Sequence, residues 1–272
     1  MMVAEHAGPC FGVRNAIRIA FDCAGERTYI SGELVHNPHV TRELEHAGVV
    51  KIDDLKALSP GDRLIIRAHG EPESVYEYCR EHGVKIIDAA CPFVKKAQSL
   101  AEQMEKDGYQ VVLVGDKNHP EVKSILARTK SGVAILSCDE INDALLCKGR
   151  FGILSQTTQK KENFLSVSAA LLAHAREAKI YNTICSATMQ RQEAAVRLAK
   201  QVDAMIVVGG KNSANTRQLY DLCNEIVTTY WVNDLSELDK LWLQGKTRIG
   251  LTAGASTPDR IIQQFREHLE QI

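Results

Sequence analysis

The sequence predicts an α/β fold made of three similar units, each a layer of parallel strands covered by helices. Three observations support this prediction. Apolar runs of strand length alternate with helix-like runs along the whole chain, as in parallel α/β layers. One order of landmarks occurs three times, which indicates an internal repeat. The 272 residues are 44% hydrophobic and 25% charged, so the chain has the length and composition to bury a core.

The repeat is anchored on Cys10, Cys91 and Cys185. A short strand-like segment precedes each cysteine, at residues 3–5, 85–87 and 179–181. A helix-like run follows each cysteine, at residues 11–23, 93–105 and 187–200. An apolar strand that ends in glycine comes next, at residues 28–32, 111–115 and 205–209.

Later landmarks complete each unit. Beyond each glycine stands a polar residue, namely His36, His119 or Ser213. A strand and an acidic helix start follow, at residues 50–55, 135–141 and 231–235. A last apolar strand runs into a polar loop, at residues 63–70, 151–158 and 248–256. We predict that the three units comprise residues 1–91, 92–185 and 186–272.

Ligand sites in parallel α/β layers collect at the carboxyl ends of strands, which is where the three anchor cysteines stand. Three thiolates can hold zinc or an iron–sulfur cluster. A structural zinc site, however, normally has four ligands, and these usually come as pairs that are close together in the sequence. A [4Fe–4S] cluster on three cysteines leaves one iron open. We therefore predict a pseudo-threefold arrangement around a central cluster bound by Cys10, Cys91 and Cys185. The other cysteines do not recur in register and are interpreted as inert, namely Cys23, Cys79, Cys138, Cys147 and Cys223.

The polar loops supply candidate substrate ligands at helix N-termini, which favour anions. The candidates are His36, His69, His119, Ser213, Asn215 and Ser256, with Thr157 in a corresponding loop. Considered alone, a histidine before a helix that starts with proline is more often a cap than a catalyst, and Ser213 or Asn215 is a good N-cap. Glu121 is open to two interpretations, an ordinary acid in a first helical turn or a proton donor with a raised pKa. The loops together favour a small phosphorylated substrate.

Charge and hydropathy argue against several other classes of protein. The net charge of −1 lacks the basic excess of a nucleic-acid binder. The N-terminus lacks the pattern of a signal peptide, and the longest apolar runs are too short to span a bilayer. We expect a cytoplasmic protein that binds neither nucleic acid nor membrane.

Nine short motifs in order resemble the 4-hydroxy-3-methylbut-2-enyl diphosphate reductase family over nearly the whole chain. They are Cys10-Phe11-Gly12-Val13, Val35-His36-Asn37, Ala68-His69-Gly70, Asp88-Ala89-Ala90-Cys91-Pro92, His119-Pro120-Glu121-Val122, Gln156-Thr157-Thr158, Arg191-Gln192-Glu193, Lys211-Asn212-Ser213-Ala214-Asn215 and Thr252-Ala253-Gly254-Ala255-Ser256.

The resemblance implies a three-lobed fold with an oxygen-sensitive [4Fe–4S] cluster on the three anchor cysteines, and the C4 hydroxyl of the substrate on the open iron. It implies that His36, His69, His119, Ser213, Asn215 and Ser256 hold the diphosphate. Glu121 would deliver protons, with Thr157 in the same relay. Two electrons, from reduced ferredoxin or flavodoxin, and two protons would then give isopentenyl or dimethylallyl diphosphate.

The sequence departs from the family pattern at Phe11, Ala90 and Ala214, where alanine, threonine and a second serine are common. The loss of a hydroxyl at position 214 predicts weaker diphosphate binding. Three alternatives compete with the reductase hypothesis. They are a quinolinate-synthase-like three-cysteine enzyme, a phospholigand-binding module with inert cysteines and a structural zinc protein.

Overall fold

The computed structural model describes residues 1–271 and contains three separate four-stranded sheets flanked by helices. Every strand pairing is parallel, so each sheet gathers the carboxyl ends of its strands at one edge. The chain begins with β1 (Met2–Val3), and the elements that follow fall into three groups.

The first group forms one sheet with strand order β3-β2-β4-β5. Its elements are α1 (Phe11–Asp22), β2 (Thr28–Ser31), α2 (Pro38–His46), β3 (Val49–Ile52), β4 (Arg63–Ile66), α3 (Glu73–Glu81) and β5 (Lys85–Asp88). Helix α1 buries small residues such as Ala16 and Ala20 against strand residues such as Ile30 and Ile65.

The second group forms a sheet with strand order β7-β6-β8-β9. Its elements are α4 (Pro92–Lys106), β6 (Gln110–Val114), α5 (Pro120–Leu126), β7 (Val133–Ile135), α6 (Asp143–Leu146), β8 (Arg150–Ser155), α7 (Lys161–Leu172) and β9 (Glu177–Ile180). Pro92 and Pro120 occupy the first helical positions of α4 and α5, where the missing N–H of proline costs no hydrogen bond.

The third group forms the remaining sheet, with strand order β1-β12-β10-β11. Its elements are α8 (Ser186–Ala199), β10 (Ala204–Val208), α9 (Ala214–Asn224), β11 (Thr229–Val232), β12 (Ile249–Ala253) and α10 (Asp259–Glu270). Strands β10 and β12 are buried along their whole length, because helices cover both faces of the sheet.

The predicted threefold repeat is confirmed, because the three sheets share one strand order when β1 is counted with the third. Met2 and Val3 pair with Gly250 and Leu251, so the first strand of the chain completes the last sheet. The unit boundaries at residues 91 and 185 stay predictions. The acidic helix starts predicted after β3, β7 and β11 are only single 3-10 turns, Leu55–Ala57, Cys138–Glu140 and Leu235–Glu237.

Within the described residues 1–271, no helix combines the length and apolar character needed to cross a membrane.

Candidate functional site

One central pocket receives loops from all three sheets. Its lining includes every predicted site residue except Cys91, namely Cys10, His36, His69, His119, Glu121, Thr157, Cys185, Ser213, Asn215 and Ser256. These side chains follow the carboxyl ends of strands, as parallel α/β layers require. The repeat therefore brings distant segments of the chain to one point.

Each anchor cysteine is the residue that precedes the first turn of a helix. Cys10, Cys91 and Cys185 cap α1, α4 and α8 with extended backbone, and none uses its side chain to cap the helix. The thiols are therefore free to bind something else. The positive ends of three helix dipoles lie beside them, which favours thiolate ligands.

Burial raises the pKa of two of the three thiols, those of Cys91 and Cys185. Burial raises the pKa of Cys91 to about 11, with the neighbouring Cys10 and Cys185 adding to the rise. Burial also raises the pKa of Cys185, whose sulfur lies 3.1 Å from the Thr188 hydroxyl oxygen. Thiols are deprotonated when they bind a metal, so a cationic metal group would offset the raised pKa of Cys91 and Cys185.

Gly12 leaves room beside the thiols. A Cβ at this position would stand 2.7 Å from the Cys91 sulfur and 3.9 Å from the Cys10 sulfur. The three cysteines do not form a group with the close spacing of ligands to one metal ion, which among described residues only His36, His69 and His119 do. The thiols are thus spaced for a group larger than a single ion, which argues against the structural zinc alternative.

The three histidine rings form a compact cluster. The ring centroids of His36 and His69 lie 4.5 Å apart and stack, while His119 meets these rings edge-on at 5.4 and 5.2 Å. Possible ligand nitrogens on all three rings lie within 4.8 Å of one another. Such a cluster could hold a cation when neutral or an anion when its N–H groups point inward.

Hydrogen bonds fix the orientation of two of the rings. His36 Nδ1 lies 3.0 Å from the Glu33 carboxylate, and this bond holds the pKa of Glu33 below its usual range. His119 Nδ1 accepts the Glu121 backbone N–H at 3.1 Å, so a neutral His119 carries its proton on Nε2. His36 Nε2 and His69 Nδ1 are buried without partners.

Burial keeps two of the histidines neutral. It lowers the pKa of His119 to about 4 and lowers the pKa of His69 well below its ordinary value. Nearby His36 acts in the same direction on both. An anionic ligand would reverse this effect, because it favours the protonated rings.

Three polar side chains from the third unit line the same pocket as the histidines. Asn215 is 5% exposed, and neither its amide nitrogen nor its amide oxygen has a partner. Ser213 accepts the Thr216 N–H at 3.3 Å, so it caps α9 while its own proton remains available. Ser256 donates to the His36 carbonyl at 3.0 Å and links the first and third units.

Glu121 is a buried acid, 2% exposed, in the first turn of α5. Its two oxygens accept the backbone N–H and the hydroxyl of Thr157. Burial raises the pKa of Glu121, and the bonds from Thr157 oppose that rise. The structure therefore brings together the two residues predicted to form a proton relay.

A second cavity also borders Cys10 and Cys185. A groove of about 510 Å³ is lined by Cys10 and Cys185 together with Phe11 and Phe93. Phe11 is 73% exposed and Phe93 is 42% exposed, which is unusual for phenylalanine. The departure at position 11 thus creates an apolar surface in this groove.

Sequence reasoning assigned no role to Thr188, Arg191 and Glu33, although the first two line the pocket and Glu33 bonds His36. Helical spacing from Cys185 could have found Thr188, which lies one turn later on the same face. The departure at Ala214 puts a methyl group in the pocket wall, while Ala90 is buried in the core of the first unit.

Comparison with known proteins gives one consistent result. A family model described as LytB protein matches residues 1–270. The 4-hydroxy-3-methylbut-2-enyl diphosphate reductase of Trichlorobacter lovleyi is 42% identical, over 100% of this chain and 98% of that protein. The Aquifex aeolicus protein of the same name is 41% identical, over 100% of this chain and 96% of that protein.

Two solved structures are similar over nearly the whole chain. One is described as (E)-4-hydroxy-3-methyl-but-2-enyl diphosphate reductase, the terminal enzyme of the non-mevalonate pathway. It is 40% identical with a TM-score of 0.74, and the match covers 100% of this chain and 99% of the other. The second is the E-1-hydroxy-2-methyl-but-2-enyl-4-diphosphate reductase of Plasmodium falciparum, 29% identical with a TM-score of 0.91, covering 98% and 87% of the two chains.

Proposed function

The chain belongs to the LytB protein family, and on that premise we propose that it reduces 4-hydroxy-3-methylbut-2-enyl diphosphate to isopentenyl and dimethylallyl diphosphate. The enzyme is an oxidoreductase. The reaction consumes two electrons and two protons and releases one water. The observation that carries the proposal is the convergence of two of the three cysteines, three histidines and a buried acid in one pocket, with Cys91 adjoining Cys10 beside Gly12.

The diphosphate is held by the histidine, serine and asparagine side chains that line the pocket. His36, His69 and His119 present ring nitrogens there, and Ser213, Asn215 and Ser256 add hydroxyl and amide groups. The unpartnered amide of Asn215 supports this assignment, because buried amides are normally hydrogen-bonded and a diphosphate would supply the partner. Hydroxyl and amide donors suit phosphate oxygens better than they suit a transition metal.

Cys10, Cys91 and Cys185 would hold a [4Fe–4S] cluster with one iron free of protein ligands. Their donor type, their wide spacing and the space kept by Gly12 fit such a group. When bound, the cluster supplies one-electron transfer and a Lewis-acidic iron. Each of the three thiols stands at a helix N-terminus without capping that helix. Neither the structural zinc alternative nor the binding module with inert cysteines explains this arrangement.

Glu121 delivers protons to the reacting end of the substrate. A raised pKa keeps its carboxyl protonated nearer to neutral pH, as a general acid needs. Thr157 fixes the carboxyl orientation through two hydrogen bonds and forms part of the relay. Burial of the pair excludes bulk water from the pocket at this point.

Electrons arrive from reduced ferredoxin or flavodoxin at the groove lined by Phe11 and Phe93. This groove borders Cys10 and Cys185 but is not lined by His36, His69 or His119, so donor and substrate can bind together. The exposed aromatic rings offer an apolar contact for a protein partner.

We place the reaction in the cytoplasm, because all eight cysteines are free thiols, which suits a reducing compartment. The test of the function is anaerobic purification followed by iron and sulfide analysis and spectra with and without substrate. A brown protein with about four irons, whose spectrum responds to substrate and which turns it over, supports the proposal. A protein that resists anaerobic reconstitution would instead be a binding module.

A further inference from the structure

Arg191 is a buried cation in helix α8, with 2% of its surface exposed. Its Nη2 donates to the Gly8 carbonyl at 2.7 Å, and its Nη1 donates to the Ala187 carbonyl at 3.1 Å. Its Nε is buried without a hydrogen-bond partner. These two carbonyls accept hydrogen bonds from the guanidinium group, but they are neutral and do not compensate its positive charge.

A buried guanidinium normally lies against a carboxylate, because an isolated charge is costly to remove from water. Burial lowers the pKa of Arg191, and the groups that oppose this shift are the thiols of Cys10 and Cys185. Arg191 lines both the central pocket and the outer groove, which are the two cavities that these cysteines border. The negative charge that would balance Arg191 therefore belongs at the thiols.

We propose that Arg191 is the fixed counter-charge of the cluster bound by Cys10, Cys91 and Cys185, and that it raises the reduction potential of that cluster. The inference rests on the proposed function, and it gives Arg191 a role in electron transfer. In each step the donor protein loses one electron and the cluster gains it, so the charge at the site becomes more negative by one. A nearby buried cation stabilises the reduced form more than the oxidised form.

A purely structural role must be distinguished from this one, because Arg191 also ties Gly8 to α8, two residues before Cys10. Two variants separate charge from contact. Arg191→Lys keeps the positive charge and loses the planar arrangement of N–H donors. Arg191→Gln keeps an N–H donor and loses the charge. Arg197→Gln is the matched control, since Arg197 lies on the same helix but is exposed and paired with Glu5.

The measurement is an anaerobic redox titration of the reconstituted holoprotein, followed by electron paramagnetic resonance and needing no substrate. Arg191→Gln should lower the ratio of reduced to oxidised cluster at a fixed potential about tenfold, a shift of about 59 mV for a one-electron couple. Arg191→Lys should stay near the unmodified protein, and Arg197→Gln should match it.

A potential unchanged in Arg191→Gln, or shifted equally in the lysine variant, would assign Arg191 to structure alone and overturn the proposal. If the glutamine variant loses the cluster while the lysine variant keeps it at the normal potential, the charge is again what matters. If both variants lose the cluster, the contacts matter and the proposal is wrong. Failure of the unmodified protein to bind any cluster would instead sink the proposed function.

Discussion

Thr157 bonds both oxygens of the Glu121 carboxylate, with its backbone N–H at 2.6 Å from one and its hydroxyl at 2.8 Å from the other. The carboxyl therefore has a single orientation in a site that excludes water. Burial outweighs these bonds and raises the pKa of Glu121.

Glu121→Gln should lower kcat by about 10²- to 10⁴-fold while cluster content and substrate affinity are kept, because the amide preserves the shape but has no acidic proton. Turnover of the unmodified enzyme should fall as the pH rises through the raised pKa of Glu121, since the protonated form is the active one.

Thr157→Val removes a bond that lowers this pKa, so the fall should move to higher pH. Pre-steady-state rates across pH test both statements, and an unreduced kcat in Glu121→Gln would remove this acid from the mechanism.

His119→Ala should weaken diphosphate binding, because it deletes one of three converging imidazoles. The same change removes the cap of α5, which costs about 1 kcal/mol of stability. His119→Asn is the control that restores a good cap without the imidazole. Calorimetric titration with inorganic pyrophosphate should show weak binding in both variants, with Tm recovered in the asparagine variant. Full recovery of affinity by asparagine would reduce His119 to a helix cap.

Asn215→Leu should separate stability from affinity. The amide of Asn215 is buried with neither polar atom paired, so an apolar side chain of similar shape should leave the Tm unchanged or raise it. Pyrophosphate affinity should fall roughly tenfold, in line with the loss of one charge-assisted hydrogen bond. Asn37→Leu is the matched comparison, because Asn37 caps α2 and its loss should lower the Tm. A lower Tm for Asn215→Leu with unchanged affinity would make this amide structural.

Gly12→Ala should reduce the iron content of anaerobically reconstituted protein by more than half. The added Cβ would stand 2.7 Å from the Cys91 sulfur, which must then move. Alanine favours the helix by about 1 kcal/mol over glycine, so a loss of iron cannot come from a weaker α1. Phe11→Ala, at the exposed neighbouring position, should retain its iron. Full occupancy in Gly12→Ala would mean that the thiols are not confined as the structure has them.

Phe11→Ala should raise the KM for reduced ferredoxin or flavodoxin several-fold and leave turnover with a small chemical reductant unchanged. Phe11 exposes 73% of its surface beside Cys10, where a protein donor can contact the ring. A small chemical reductant does not depend on that contact. Phe21→Ala on the same helix is the control, because Phe21 lies at the far end of α1 and does not line the groove. Equal effects of Phe11→Ala on both reductants would exclude this groove as the docking face.

The sequence was enough to predict which loops meet, because strand, loop and helix recur in one order around each cysteine and parallel strands end at one edge. It could not predict that β1 joins the third sheet, since strand pairing depends on a partner far along the chain. Arg191 stood in one of the quoted motifs, but its burial could not be predicted, because a helical arginine usually faces solvent and only the packing of α8 against the Gly8 loop buries it. The acidic turns after β3, β7 and β11 show the limit of local signals, which predicted helix starts there but not that each would be a single 3-10 turn.

The pairing of Met2 with Gly250 has a consequence for the order of events on the ribosome. The first two sheets use strands that are near one another in sequence, so each can assemble while synthesis continues. The third sheet must wait for β12, and β1 remains unpaired until then. Cys10 follows β1 closely, so a nascent chain positions Cys91 and Cys185 before it can position the third thiol. The site formed by the three cysteines is therefore complete only when the last sheet is complete.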